Sequence, residues 1–179
     1  MTSSTNDPVA LAILALFPLC MVFATICDLF TMTIPNRISL VLLAGFVVLA
    51  PLAGMGWETI ISHILAALLV LSIGIALFSF RVLGGGDAKL IAAAALWFGN
   101  SFTLPFLLAA GLLGGLVTLA ILALRKSMIP QHEMLKDWFS RMHDGKPAVP
   151  YGAALGPAAL YIFVGTPWMT FVTSGQPIG

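Results

Sequence analysis

The sequence predicts an all-α polytopic membrane protein of about six transmembrane helices, with both termini on the non-cytoplasmic side. Three observations carry this reading. Hydrophobic residues make up 60% of the chain and charged residues 8%, with a mean hydropathy of +1.05. Soluble domains run at about 45–50% apolar and about 25% charged. The 179 residues divide into apolar stretches that approach the roughly 20 residues needed to cross a hydrocarbon core. Finally, the basic residues are confined to alternate loops.

The first apolar stretch is expected to form a span at 9–27. Residues 1–8 carry no Lys or Arg, so they lack the basic start of a secretory signal, and the stretch reads as a retained span. Asp28 follows it, then a polar-leaning turn with Ile34, Pro35, Asn36 and Arg37. Pro35 biases Ile34 toward extended backbone, and Asn36 is suited to cap the next helix. Span 2 is expected at 38–55, kinked or shortened at Pro51, and span 3 at 59–80. Span 4, at 87–98, holds only about a dozen residues, roughly 18 Å of helix. That is short of a core about 30 Å thick, so Asp87 at its start is expected inside the membrane boundary. Span 5 follows at 102–124, with Gly111, Gly114 and Gly115 allowing close helix contact. Residues 125–147 form the one long polar stretch. Ile129, Leu135, Trp138, Phe139 and Met142 give it a rough apolar face, suggesting a short interfacial helix. Span 6 is expected at 148–171.

With this division, Arg37 lies in the loop between spans 1 and 2, and Arg81 and Lys89 lie around the loop between spans 3 and 4. Arg125, Lys126, Lys136, Arg141 and Lys146 lie between spans 5 and 6, completing all 8 Lys and Arg of the chain. The positive-inside rule puts these loops in the cytoplasm. Trp57, Trp97 and Trp168 fall near the opposite boundary, as an aromatic belt would place them. A lipid bilayer is therefore the expected surrounding, and no nucleic-acid partner is expected. The chain leaves no room for a separate soluble domain, so 1–179 reads as a single membrane-embedded domain. Cys20 and Cys27 are not a CxxC pair and read as buried, inert thiols. No Cys/His cluster suggests a metal, and no cofactor is expected.

Two carboxylates stand out. Asp28 ends span 1, and Asp87 follows the run Gly84, Gly85, Gly86 at the opening of span 4. Both fall on the cytoplasmic side. A carboxylate at the edge of hydrocarbon is costly and usually serves chemistry, ion handling or a buried partner. Two of them brought together would share one proton and titrate as a pair. That arrangement suits aspartic proteolysis, one carboxylate taking a proton from water and the other donating one. Glycines beside Asp87 leave room for another backbone to approach. Lys89 either tunes this pair or snorkels as an interfacial anchor. Asn36 is a helix cap first and a site residue second, Tyr151 either lines the site or packs, and His63 is expected to face the bundle or the outer interface. His132 and His143 lie in the polar stretch. Taken singly, each aspartate is also readable as an interfacial cap. A small ion- or proton-coupled transporter using the same carboxylates, or a scaffold without activity, stays open; no inverted repeat supports the transporter.

The motifs together resemble those of the prepilin leader peptidases, membrane aspartic proteases of the GxGD type. Gly84-Gly85-Gly86-Asp87-Ala88-Lys89-Leu90 is similar to the family's GxGD-x-K-[LM] region. Asp28 followed by Ile34-Pro35-Asn36 is similar to its first-aspartate region, and Val149-Pro150-Tyr151-Gly152 to the element opening its last span. The resemblance implies a peptidase in the bacterial inner membrane that removes the basic leader of pilin-like precursors after a glycine, at the cytoplasmic face. It implies Asp28 and Asp87 as catalytic residues; Gly84, Gly85, Gly86, Lys89 and Asn36 are, from their own positions, the candidates for binding substrate or supporting the loop. The absence of paired CxxC motifs resembles the short form associated with tight-adherence (Flp) pili, for which N-methyltransferase activity is not expected.

Overall fold

The computed structural model describes residues 7–127 and 151–178. Six helices are present in that part of the chain, with no strand among the described residues: α1 (Pro8–Thr31), α2 (Asn36–Leu52), α3 (Trp57–Ser79), α4 (Gly85–Ser127), α5 (Gly152–Phe163) and α6 (Pro167–Ser174). The expected interfacial helix at 125–147, with His132 and His143, lies largely outside the described residues.

The local chemistry sets the ends of α1. The Asp7 carboxylate accepts from Val9 N–H at 2.9 Å, and Pro8 opens the helix where its missing N–H costs nothing. The helix does not stop before Asp28, as expected, but continues one turn to Thr31. It closes on Met32 in the left-handed conformation (φ 52°), whose N–H returns to Asp28 C=O. In α2 the cap is Pro35 rather than Asn36. Asn36 is already helical and makes no capping bond, which corrects the sequence reading.

The long helix α4 is two arms. At Gly99 the backbone turns to φ 60°, ψ −170°, and the chain reverses. Ile91 and Leu107 line one small cavity of about 90 Å³. A straight helix would hold residues 16 apart at about 24 Å. Thr103 Oγ1 lies 2.6 Å from Gly99 C=O and 3.4 Å from Ala95 C=O, and the Phe98 and Phe106 rings meet at 5.0 Å. These contacts pin the hairpin closed. The arms correspond to the expected spans 4 and 5.

The first arm of α4 is the central strut. From Ala88 to Phe98 every residue is buried except Lys89. An apolar helix with no polar face has no side to give to water, and α2 and α3 pack against this one at Trp97, Leu96 and Ala88. At the Gly99 end, Phe17 stacks on Phe163 at 4.5 Å, while Trp97 packs against Trp168 at 4.7 Å. Trp97 Nε1 donates to Leu42 C=O at 2.9 Å, and Trp168 Nε1 to Trp97 C=O at 2.7 Å. Trp97 and Trp168 are thus buried in the bundle and do not form an interfacial belt. Trp57 remains exposed. His63 faces the bundle, its Nδ1 2.8 Å from Leu96 C=O.

Among the described residues, α1, α3 and the Gly85–Ala123 stretch are long and apolar enough to cross a membrane. The pair α5 and α6, bent by 51°, makes a fourth candidate if counted as one span. The 17 residues of α2 give a shorter apolar helix of about 25 Å. The expected spans 4 and 5 are joined in one broken stretch, so length alone gives fewer crossings than the six expected from sequence.

The ends of the bundle are distinct. Ile178 N–H binds Ala53 C=O at 3.1 Å, joining the C-terminal tail to the turn after α2. At the other end the turn after α1, the glycine run before α4 and the start of α5 converge.

Gly99 combines a left-handed φ with a His63 ring occupying the place of a Cβ. Gly111 has open space around it. Gly99→Ala is therefore expected to lower the melting temperature in detergent markedly. Gly111→Ala is expected to leave it unchanged or raise it slightly, since alanine gains up to about 1 kcal/mol in a helix.

Candidate active site

Asp28 lies in the last turn of α1 with 5% of its surface exposed, a rare condition for an aspartate. Its burial is made tolerable by the start of α5. Gly152 N–H donates to Asp28 Oδ2 at 2.6 Å, and Ala153 N–H also hydrogen-bonds this carboxylate. The first N–H groups of a helix have no partner within the helix and form the positive end of its dipole, so an anion there is favoured.

Such an approach requires a bare backbone. A Cβ on Gly152 would stand 2.7 Å from Asp28 Cβ and 2.9 Å from its Oδ2. One turn further, a Cβ on Gly156 would collide with Thr25 Oγ1 and come within 3.0 Å of Met21 C=O. Gly152 and Gly156 therefore make a small-xxx-small face on which α1 lies. Beside them Tyr151, part-buried, packs on the second arm of α4, where a Cβ at Gly114 would meet its ring at 3.0 Å.

Asp87 enters from α4. Gly84 precedes the first helical residue, and its C=O accepts the first helical bond, from Ala88 N–H at 3.0 Å. Asp87 is then the third residue of the helix, and its carboxylate reaches back to Gly84 N–H. This is the acidic half of a capping box. Gly86, next to Asp87, abuts Ile34 in the turn that follows Asp28, so both carboxylates stand at the same end of the bundle.

Each residue of the glycine run answers to a different neighbour. A Cβ on Gly84 would stand 2.7 Å from Asp87 Oδ2. One on Gly85 would meet the Phe78 ring at 3.3 Å. One on Gly86 would press on Ile34, 3.2 Å from both its Cβ and its C=O. None of the three has a positive φ, so close approach, not backbone freedom, makes glycine necessary here. The Gly86–Ile34 contact ties the turn after α1 to the start of α4. Lys89 and Asn36 reinforce it, since Lys89 Nζ donates to Asn36 Oδ1 at 3.0 Å. The Asn36 side chain is thus a partner for Lys89, and Lys89 is exposed rather than buried with the carboxylates.

The structure brings Asp28, Asp87, Gly84, Gly85 and Gly86 to one end of the bundle, with Lys89 and Asn36 bracing the adjoining turn. Sequence reasoning did not single out Gly152 and Ala153 as donors to Asp28, nor Thr25 and Gly156 beside them. The signals were the place of Gly152 in the Val149–Gly152 element, the GxxxG spacing of 152 and 156, and a threonine one turn before an aspartate. Residues 15–119, which include both aspartates, match the model of the type IV leader peptidase family. Comparison with curated proteins and with solved structures gives no match.

The neighbours of Gly85 and Gly86 differ in how easily they yield. The Phe78 ring can turn away, whereas the Ile34 backbone cannot move without shifting the turn. Gly86→Ala is expected to lower the melting temperature in detergent more than Gly85→Ala. Equal effects would mean that the 32–35 turn is not seated on Gly86.

Proposed function

The chain belongs to the type IV leader peptidase family, and from this we propose an aspartic endopeptidase in which Asp28 and Asp87 activate water. The observation supporting the proposal is that two aspartates from different helices stand at one end of the bundle, where Gly86 beside Asp87 is seated on Ile34 in the turn after Asp28.

In the proposed reaction one carboxylate takes a proton from water as the water oxygen bonds to the scissile carbonyl carbon. The other, protonated, gives its proton to the carbonyl oxygen. When the tetrahedral intermediate collapses, the C–N bond breaks, the leaving amine takes a proton from the carboxyl group that received one from water, and a hydroxyl of the intermediate returns its proton to the other carboxylate as the new C=O forms. The pair then again holds one proton between two carboxylates. Backbone N–H donors on both aspartates fix where their oxygens stand, which such chemistry needs.

The proposed substrate is a pilin-like precursor, with a basic leader outside the bilayer and an apolar helix within it. Its scissile bond, after a glycine, would wait at the boundary where the Asp28 end of the bundle is expected. The all-helical, strongly apolar chain supports a multi-pass membrane location, proposed to be the bacterial inner membrane with this end facing the cytoplasm. Gly84, Gly85, Gly86, Lys89 and Asn36 then serve as supports that place Asp87 against the turn after α1.

The test is cleavage of a prepilin-like peptide by the detergent-solubilised protein. Asp28→Asn and Asp87→Asn are each expected to lower kcat/KM by about 10²–10⁴-fold, the usual span for a general acid or base. Wild-type cleavage in either variant would refute the mechanism. The pH profile of the wild type is expected to be bell-shaped. At low pH both carboxyls are protonated and no base remains; at high pH both are ionised and no acid remains. A flat profile across both limbs would contradict a shared proton.

A further inference from the structure

Thr25 sits three residues before Asp28 on α1, so the two side chains share one face of the helix. Its hydroxyl lies 3.0 Å from Met21 C=O and 3.2 Å from Gly152 C=O. Met21 C=O belongs to the same helix, and bonding it is the ordinary resort of a threonine in an apolar helix. The bond to Gly152 C=O is different, because it crosses to α5. A hydroxyl has one proton and divides it between two such acceptors.

The consequence is that Gly152 is held from both sides by one turn of α1. Its N–H donates to Asp28 Oδ2 at 2.6 Å, and its C=O accepts from Thr25 Oγ1. The bare Cα positions of Gly152 and Gly156 allow this grip, since a side chain at either would meet Asp28 or Thr25. Two anchors fix both the height and the rotation of the first turn of α5, whereas the Asp28 bond alone leaves rotation about its own axis.

We propose that Thr25 is a positioning residue for the reaction, acting through Gly152 to aim the Asp28 carboxylate. The inference rests on the aspartic peptidase reading, because Thr25 matters to turnover only if Asp28 does. The Thr25 hydroxyl is engaged with the carbonyls of Met21 and Gly152. It sets the orientation of the donor that holds Asp28 Oδ2, and thereby where the remaining oxygen of Asp28 stands relative to Asp87. A loosened donor costs turnover more than substrate binding, since the positions of the reacting atoms matter most in the transition state.

The experiment measures kcat and KM separately for Thr25→Val, Thr25→Ala and Thr25→Ser on the prepilin-like peptide, with Asp28→Asn as control and melting curves for each. Loss of one neutral hydrogen bond corresponds to roughly a tenfold effect at most in equilibrium terms. The expected result is a kcat about tenfold lower in the Val and Ala variants, with KM within about twofold of wild type and the Ser variant restored. Should the Val variant fail to fold, the Ala variant decides. Wild-type kcat in Thr25→Ala overturns the inference. So does an equal loss in Thr25→Ser, which would make bulk rather than the hydroxyl responsible, or a loss confined to KM. Full cleavage by Asp28→Asn would instead remove the peptidase reading on which the inference rests.

Discussion

A carboxylate packed among apolar helices needs donors, and at Asp28 these come from the first turn of α5. The bond from Gly152 N–H, at 2.6 Å, joins residues 124 positions apart in the chain. It helps close the bundle, because α5 also packs against α4. Removing these donors would leave a buried polar group unsatisfied, at a cost of about 1–3 kcal/mol, more for a charged group. The requirement propagates: Gly152 and Gly156 must lack side chains, and α5 must begin at the level where α1 is about to end.

Asp87 is accommodated by the same physics from its own helix. It is the third residue of α4 and reaches back to Gly84 N–H. Both aspartates therefore face the positive ends of helices, one belonging to its own chain segment and one to a distant one. Backbone donors suit a proton-sharing pair better than a cation would. They hold the oxygens in place without adding a full charge that fixes both aspartates as anions. Lys89, two residues from Asp87, is accordingly turned outward to Asn36.

How much of this is legible in the sequence depends on which force writes it. Apolar runs and their interruptions mark the helices, so the bounds of α1, α3 and the Gly99 turn fall close to expectation. The two aspartates are conspicuous because charge is scarce. Which apolar residues face the bundle is another matter. In a membrane a leucine against lipid and a leucine against another helix are nearly equivalent. Phe17 is fully buried while Phe30 is 72% exposed, though both stand in the same apolar helix. For the same reason Trp97 and Trp168 read as belt residues but are core. The Gly152–Asp28 and Thr25–Gly152 bonds are between positions that no local pattern relates. Asn36 misleads because a good capping residue stands one position after the proline that takes the cap.

The central claim is that Asp28 and Asp87 face one another across a single site. Its most direct measurement is cross-linking of a D28C/D87C double variant in a background with Cys20 and Cys27 replaced by alanine, using a short bifunctional thiol reagent on the membrane-embedded protein. The account predicts an intramolecular link between the two positions, identified by mass spectrometry of the joined peptides. Independent labelling of the two cysteines from opposite faces of the membrane, with no link formed, would contradict it.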